Sequence, residues 1–203
     1  MIGLSIAFEL ACEGLDVVVI DPAPGRGATW AAAGMLAPAS EAAPGEEPLL
    51  ADLAVAAKCW PQFAARIYDA GGADVGLRAT GSVLVGATPS DAREVARMVE
   101  TMRTAGVVVE PLHGDELARR EPTLVSSLRS TWLLPGDHSV DNRRLVIALL
   151  AALKALGTRL IEDSCTRVVA ESGALRLVLE SQGELRCDRC VLATGAAPPV
   201  AGD

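Results

Sequence analysis

The stretch MIGLSIAFELACEGLDVVVID, residues 1–21, decides how this chain is read. Gly3 opens a segment in which Leu4, Ala7, Leu10 and Ala11 share one face at helical spacing, which predicts a helix over 4–13 closed by Gly14. The run VVVI at 17–20 is short, β-branched and wholly apolar, the composition of a parallel strand buried on both faces. Asp21 ends it. A glycine that starts a helix and an acid at the end of the next strand form the second half of a dinucleotide-binding unit. In such a unit the helix N-terminus faces a pyrophosphate. The last glycine of G-x-G-x-x-G lets the helix lie close to the strand, and the acid accepts hydrogen bonds from ribose hydroxyls. The strand before the turn and the first two glycines are not in the sequence. On these residues alone two readings stand: a dinucleotide site, or a helix start followed by a strand-end turn at Asp21-Pro22.

Composition narrows the class. Half of the 203 residues are apolar, enough for one sizeable core or a core with a smaller lobe, and with 3% aromatics the interior must be filled by Leu, Val and Ala. The formal net charge of -8 and the lack of a basic stripe argue against a nucleic-acid partner. No run reaches the roughly 18 apolar residues that span a bilayer. The longest, LVIALLAAL at 145–153, is flanked by Arg143, Arg144 and Lys154, and no basic leader opens the chain. A cytoplasmic protein is expected. Five scattered cysteines make no disulfide framework. Cys187-Asp-Arg-Cys190 reads as part of a strand. No second pair or suitably spaced histidine accompanies it, so no metal site is expected.

Beyond Asp21 the chain runs through a Gly-, Ala- and Pro-rich loop to residue 47. Loops of that length are functional or disordered, and small residues let backbone approach a flat ligand. Helices are expected at 48–70, with a break at Pro61, at 91–105 capped by Ser90 or Asp91, at 115–121 and at 142–156. Strands are expected at 77–88, 107–112, 130–135, 158–161 and 165–170, in a hairpin about Gln182-Gly183, and at 191–195. Residues 136–141 read as a loop. The two ends carry parallel α/β signals and the middle does not, which suggests an interrupted domain: 1–75 and 136–203 form one part, 76–135 the other.

Three stretches give a more specific indication. VVVIDPAPGRGATWAAAGMLAP resembles the early segment of the FAD-dependent D-amino acid oxidase superfamily, in particular the glycine oxidases of thiamine biosynthesis. GDHSVDNRRLVIALLAALKALG and VLATGAAPP are similar to later segments of the same family, in the same order. The resemblance implies an α/β fold: a Rossmann-like FAD-binding domain interrupted by an α+β substrate domain, here incomplete at both ends. Such a chain is expected to be poorly soluble or to bind FAD weakly.

The same resemblance implies roles for single residues. Ile2 and Gly3 would lie at the pyrophosphate turn, and Asp21 would hold the adenosine ribose. Ala28 and Thr29 would approach the phosphates. Ala33, Gly34 and Met35 would pass beside the isoalloxazine ring, with Met35 also bordering the substrate pocket. Val168 would contact adenine through its backbone, and Thr194 and Gly195 would close over the cofactor. Each has a plainer counterpart: AAAGM as a helix turn packed in a core, Val168 as an ordinary core strand residue, and Arg26 as a solvated loop residue rather than a phosphate neighbour. The implied reaction is oxidation of glycine or another small amino acid or amine to an imine, with oxygen reduced to peroxide. Sarcosine oxidase, D-amino acid dehydrogenase, 2-hydroxy acid oxidase and an inactive remnant are the alternatives. A homo-oligomer is left open. In this family the carboxylate-binding arginine and a pocket tyrosine lie in the later half, which has no counterpart here. No catalytic residue is therefore named, and Arg78 and Arg129 read as solvated strand-edge residues.

Overall fold

The computed structural model describes residues 1–41, 45–124, 127–196 and 201–202. In chain order the elements are α1 (Ile2–Cys12), β1 (Val18–Ile20), α2 (Ala28–Ala31), β2 (Met35–Leu36), α3 (Glu47–Gly71) and β3 (Ser82–Gly86). Then come α4 (Pro89–Thr104), β4 (Glu110–Pro111), α5 (Gly114–Arg120), β5 (Ser130–Leu134), β6 (His138–Ser139) and α6 (Asn142–Ala155). The last are β7 (Arg159–Ile161), β8 (Cys165–Glu171), β9 (Ala174–Leu179), β10 (Glu184–Cys187) and β11 (Ala201–Gly202).

Packing divides the chain into two units: residues 1–32, 66–75 and 142–203, and residues 33–65 and 76–141. The sequence expectation of 1–75, 76–135 and 136–203 draws these lines elsewhere. A segment belongs with what it bonds to, and β2 is laddered to β6, which carries the AAAGM end into the second unit.

In the first unit α1 forms because apolar residues recur at helical spacing. It buries Leu4, Ala7 and Phe8, so the buried stripe includes Phe8 where Leu10 and Ala11 were expected. Gly14, at φ 79, ends the helix. Its N–H bonds the Ala11 carbonyl and that of Leu15 bonds Leu10, which satisfies carbonyls the helix leaves open. The same closing pair of bonds ends α6 at Gly157. α6 is the unit's most buried helix, through Leu145, Val146, Ala148, Leu149, Ala152 and Leu153. It leads into β7, which pairs with β1 in parallel, Val19 opposite Leu160. That is the geometry of a helix crossover between parallel strands. Arg66 ties the end of α3 to α1 through Glu9, at 2.8 Å.

A second sheet of the unit has the order β10-β9-β8-β11. Its hairpins are held to the β7–β8 turn by Asp163. That carboxylate accepts hydrogen bonds from the N–H groups of Ser164, Ser181 and Gln182 and from Ser181 Oγ. The strand expected at 191–195 is absent. Residues 191–194 have no ladder among the described residues, and apolar composition without a pairing partner does not make a strand.

In the second unit β5 is the centre of an antiparallel sheet, β3-β5-β4. α4 covers it, with Met102 and Leu134 fully buried beside Ala39. A Cβ on Gly86 would stand 2.9 Å from the Ala92 nitrogen, so only glycine lets β3 and the first turn of α4 lie so close. The α4 cap is Thr88, not Ser90 or Asp91. Its hydroxyl accepts from the Asp91 N–H while the Asp91 carboxylate accepts from the Thr88 N–H, a reciprocal box with Pro89 at the first helical position. Pro61 does not break α3, which runs from Glu47 to Gly71. The lost backbone bond, about 3 kcal/mol in an unsupported helix, is outweighed by burial of Leu50, Ala57 and Ile67 along it. Residues 136–141 are not simply a loop either, since β6 pairs with β2.

Candidate functional site

The start of α1 has no side-chain cap. Its N-cap, Met1, provides no side-chain hydrogen bond, and the first turn holds no acid. The first N–H groups of a helix have no partner inside it and carry the positive end of its dipole, so this end favours an anion. Gly3 lies against the 191–194 segment, where an added Cβ would stand 3.2 Å from the Ala193 Cβ. The amino group of Met1 donates to Thr29 Oγ1 at 3.0 Å. Burial lowers its proton affinity, and the Asp21 carboxylate partly offsets this. Gly3, Asp21, Thr29 and the residues before Thr194 therefore meet at one end of α1.

Asp21 uses one oxygen locally: Oδ1 accepts from the Ala23 N–H at 2.8 Å. This is the strand-end turn of the plainer reading, and it leaves Oδ2 without a protein donor among the described residues. The two readings of Asp21 are compatible. The ladder extends to its backbone, whose N–H bonds the Ile161 carbonyl. An open cavity of about 590 Å3 adjoins Asp21, lined by Pro22, Ala23 and Arg26 on one side and by Lys154 and Glu162 on the other. None of the predicted site residues lines it.

Ala28 and Thr29 begin the short α2, after Gly27 at φ 63. Asn142, the first residue of α6, holds this turn by donating to the carbonyls of Thr29 and Trp30 at 2.6 and 3.1 Å. Arg26 and Arg143 lie 4.5 and 5.1 Å from the Trp30 ring centre, so Arg26 is engaged with an aromatic face rather than simply solvated. Sequence reasoning missed Asn142 as a positioning residue. Its signal was there, an amide at the first position of a strong helix.

Ala33, Gly34 and Met35 lie in the second unit. They are not a helix turn packed in a core: α2 ends at Ala31, and Met35 is 61% exposed at the start of β2. Gly34, at φ 77, presents its carbonyl to the Val140 N–H at 2.8 Å. Val168 lies within β8 with Leu177 of β9 on one side and Gly202 of β11 on the other, the setting of a strand residue. Thr194 is exposed, and Gly195, at φ 62, opens a turn.

Cys187 ends β10 and Cys190 follows it outside any helix. Burial pushes both thiols up, the opposite of a reactive pair. No cluster of metal-ligating side chains occurs among the described residues. No helix of the described residues is long and apolar enough to cross a membrane.

The chain matches the profile described as FAD dependent oxidoreductase, DAO, over residues 1–202. This chain belongs to the FAD-dependent oxidoreductase family. FAD is the family's cofactor, and its members are enzymes. The chain is 31% identical over 201 residues to the Bifunctional protein ThiO/ThiG of Synechocystis, an alignment covering 97% of this chain and 28% of that one. It is 28% identical to glycine oxidase from Geobacillus kaustophilus, with a TM-score of 0.85, covering 96% of this chain and 52% of that one. Glycine oxidase from Bacillus cereus shares the fold at a TM-score of 0.79 and 22% identity. The chain thus spans under a third of the ThiO/ThiG relative and about half of the glycine oxidases. The α/β flavoprotein fold expected from the sequence is the fold observed.

Proposed function

We propose that this chain carries the cofactor-holding part of an oxidase that converts glycine, or another small amino acid or amine, to its imine. The observation that carries the reading is the uncapped N-terminus of α1, with Gly3 against Ala193 and a free oxygen on Asp21. These residues suit FAD. The α1 N–H groups face a pyrophosphate, Asp21 Oδ2 accepts from ribose hydroxyls, and Ala28 and Thr29 border the phosphates. Ile2 lies at the same turn, Thr194 and Gly195 close over the cofactor, and Val168 is assigned to adenine. Ala33, Gly34 and Met35 pass beside the ring, Met35 also bounding the substrate.

When bound, FAD supplies two-electron oxidation of the carbon–nitrogen bond, with oxygen as final acceptor and hydrogen peroxide as product. The protein's share is to hold the α-carbon in place and keep water out. The imine then adds water to give the oxo acid and ammonia. The ThiO/ThiG relatives support a further assignment, that this imine feeds the thiazole ring of thiamine.

The test is a titration of the purified chain into FAD, followed by peroxide assays with glycine, sarcosine, D-alanine and glycolate. Weak but saturable quenching of flavin fluorescence is expected, with any peroxide formed depending on glycine. Unchanged fluorescence would sink the reading, and peroxide from glycolate alone would reassign the substrate to 2-hydroxy acids.

A further inference from the structure

The turn that carries Ala28 and Thr29 does not hold itself. α2 has four residues, none of them buried, and no side-chain cap. A helix that short is far below the length at which helices stand alone. Its own bonds use the carbonyls of Gly27 and Ala28, which accept from the N–H groups of Trp30, Ala31 and Ala32. The next two carbonyls, of Thr29 and Trp30, lie past the last helical bond and need donors from elsewhere. Those are the two that Asn142 takes, both from Nδ2, at 2.6 and 3.1 Å. Arg143 Nε reaches the Trp30 carbonyl only at 3.4 Å, so Asn142 is the main donor.

The chemistry requires this side chain. A primary amide nitrogen carries two hydrogens and can serve two successive carbonyls; a hydroxyl offers one and a carboxylate none. Asn142 is itself well placed to act as an anchor, because it begins α6, which is buried through Leu145, Val146 and Leu149. Val146 is four residues on and shares its helix face. Gly25, at φ 75, lies directly on Val146, where an added Cβ would stand 2.2 Å from Cγ1. One face of α6 therefore meets the loop twice, by close contact at Gly25 and by hydrogen bonds at Thr29 and Trp30. Thr29 is also held through its side chain, whose Oγ1 accepts from the Met1 amino group at 3.0 Å.

We propose that Asn142 is a positioning residue of the cofactor site. It caps α2 from another helix and so sets Ala28 and Thr29 at the height the phosphates need, without touching the cofactor itself. The role follows the number of N–H donors at this position and not the size of the side chain. It rests on the FAD reading above.

The test is quenching of flavin fluorescence by the wild type and three variants, each shown to be folded by circular dichroism at the titration temperature. Asn142→Asp keeps the shape, donates nothing and sets a negative charge against two carbonyls, so it should weaken FAD about tenfold or more. Asn142→Ala leaves the carbonyls to water and should cost about fourfold, while Asn142→Gln keeps both donors and should stay within about twofold of wild type. A merely structural residue would move the melting temperature and leave the affinity of the folded chain alone. Should Asn142→Asp fail to fold, the comparison of Asn142→Gln with Asn142→Ala decides. Equal affinity in wild type and Asn142→Asp, or Asn142→Gln no better than Asn142→Ala, overturns the proposal and leaves the FAD reading standing. A wild type that does not quench flavin at all removes both.

Discussion

At the scale of single residues, Asp21 separates turn-making from ligand-holding. Its Oδ1 closes the turn onto the Ala23 N–H, and Oδ2 is open. Asn can supply the same turn acceptor while losing the charge and one acceptor lobe. Asp21→Asn should therefore leave the melting temperature within a degree or two of wild type. FAD affinity should fall about tenfold, or about 1.4 kcal/mol, the worth of one charge-assisted hydrogen bond. Fluorescence quenching set beside thermal denaturation reads both. If stability and affinity fell together, Asp21 would be only a strand-end turn residue. Gly3 and Asp21 were legible in the sequence because a helix start and a strand end are local features. The pairing of Met35 with Ser139 was not, because it depends on the register of strands far apart in the chain.

At the scale of elements, two buried carboxylates hold the loops. Asp137→Ala would leave the Ala39 N–H, the Ser40 N–H and Ser82 Oγ without their acceptor. Each orphaned buried group costs about 1–3 kcal/mol, so a loss of about 3 kcal/mol or more in urea denaturation is expected, about half regained by Asp137→Asn. Asp163 gives a pH-dependent counterpart. Desolvation pushes its carboxyl up, but the bonds from Ser164, Ser181 and Gln182 together outweigh it and hold the carboxyl below the usual value. A carboxyl with a depressed folded-state value adds stability that is complete above its unfolded value and is lost as pH falls through the folded one. The stability gap between wild type and Asp163→Asn should be constant near neutral pH and close in acid, below the ordinary carboxylate range. A gap that widened in acid would contradict the hydrogen-bond assignment. The long helices were legible because an apolar stripe is written locally; the α4 cap at Thr88 and the passage of α3 through Pro61 were not, since a cap is fixed by its bonds and Pro61 yields to burial of Leu50, Ala57 and Ile67. The ribbon of β2 and β6 was not, since two residues have no period and the partner lies about a hundred positions away. The strand expected at 191–195 failed for the complementary reason: composition suited a strand, but a ladder needs a neighbour.

For the whole molecule, surface and charge act against one another. Ile2, Val191 and Leu192 are more than half exposed, and the close approach of Gly3 to Ala193 brings them to the same end of α1. Contiguous apolar surface drives association, while a net charge of -8 opposes it by repulsion that salt screens. Light scattering should therefore show the chain associating as sodium chloride is raised. Val191→Ser with Leu192→Ser should move the onset to higher salt. The same measurement bears on the cofactor reading, because Ile2 is both part of this patch and a proposed neighbour of the pyrophosphate. A ligand that binds only the dispersed form shifts the balance toward it by mass action. FAD should then delay association of the wild type, delay it less for Asp21→Asn, and add little to the double serine variant. FAD that left the wild-type onset unmoved at saturating concentration would place its site away from the start of α1.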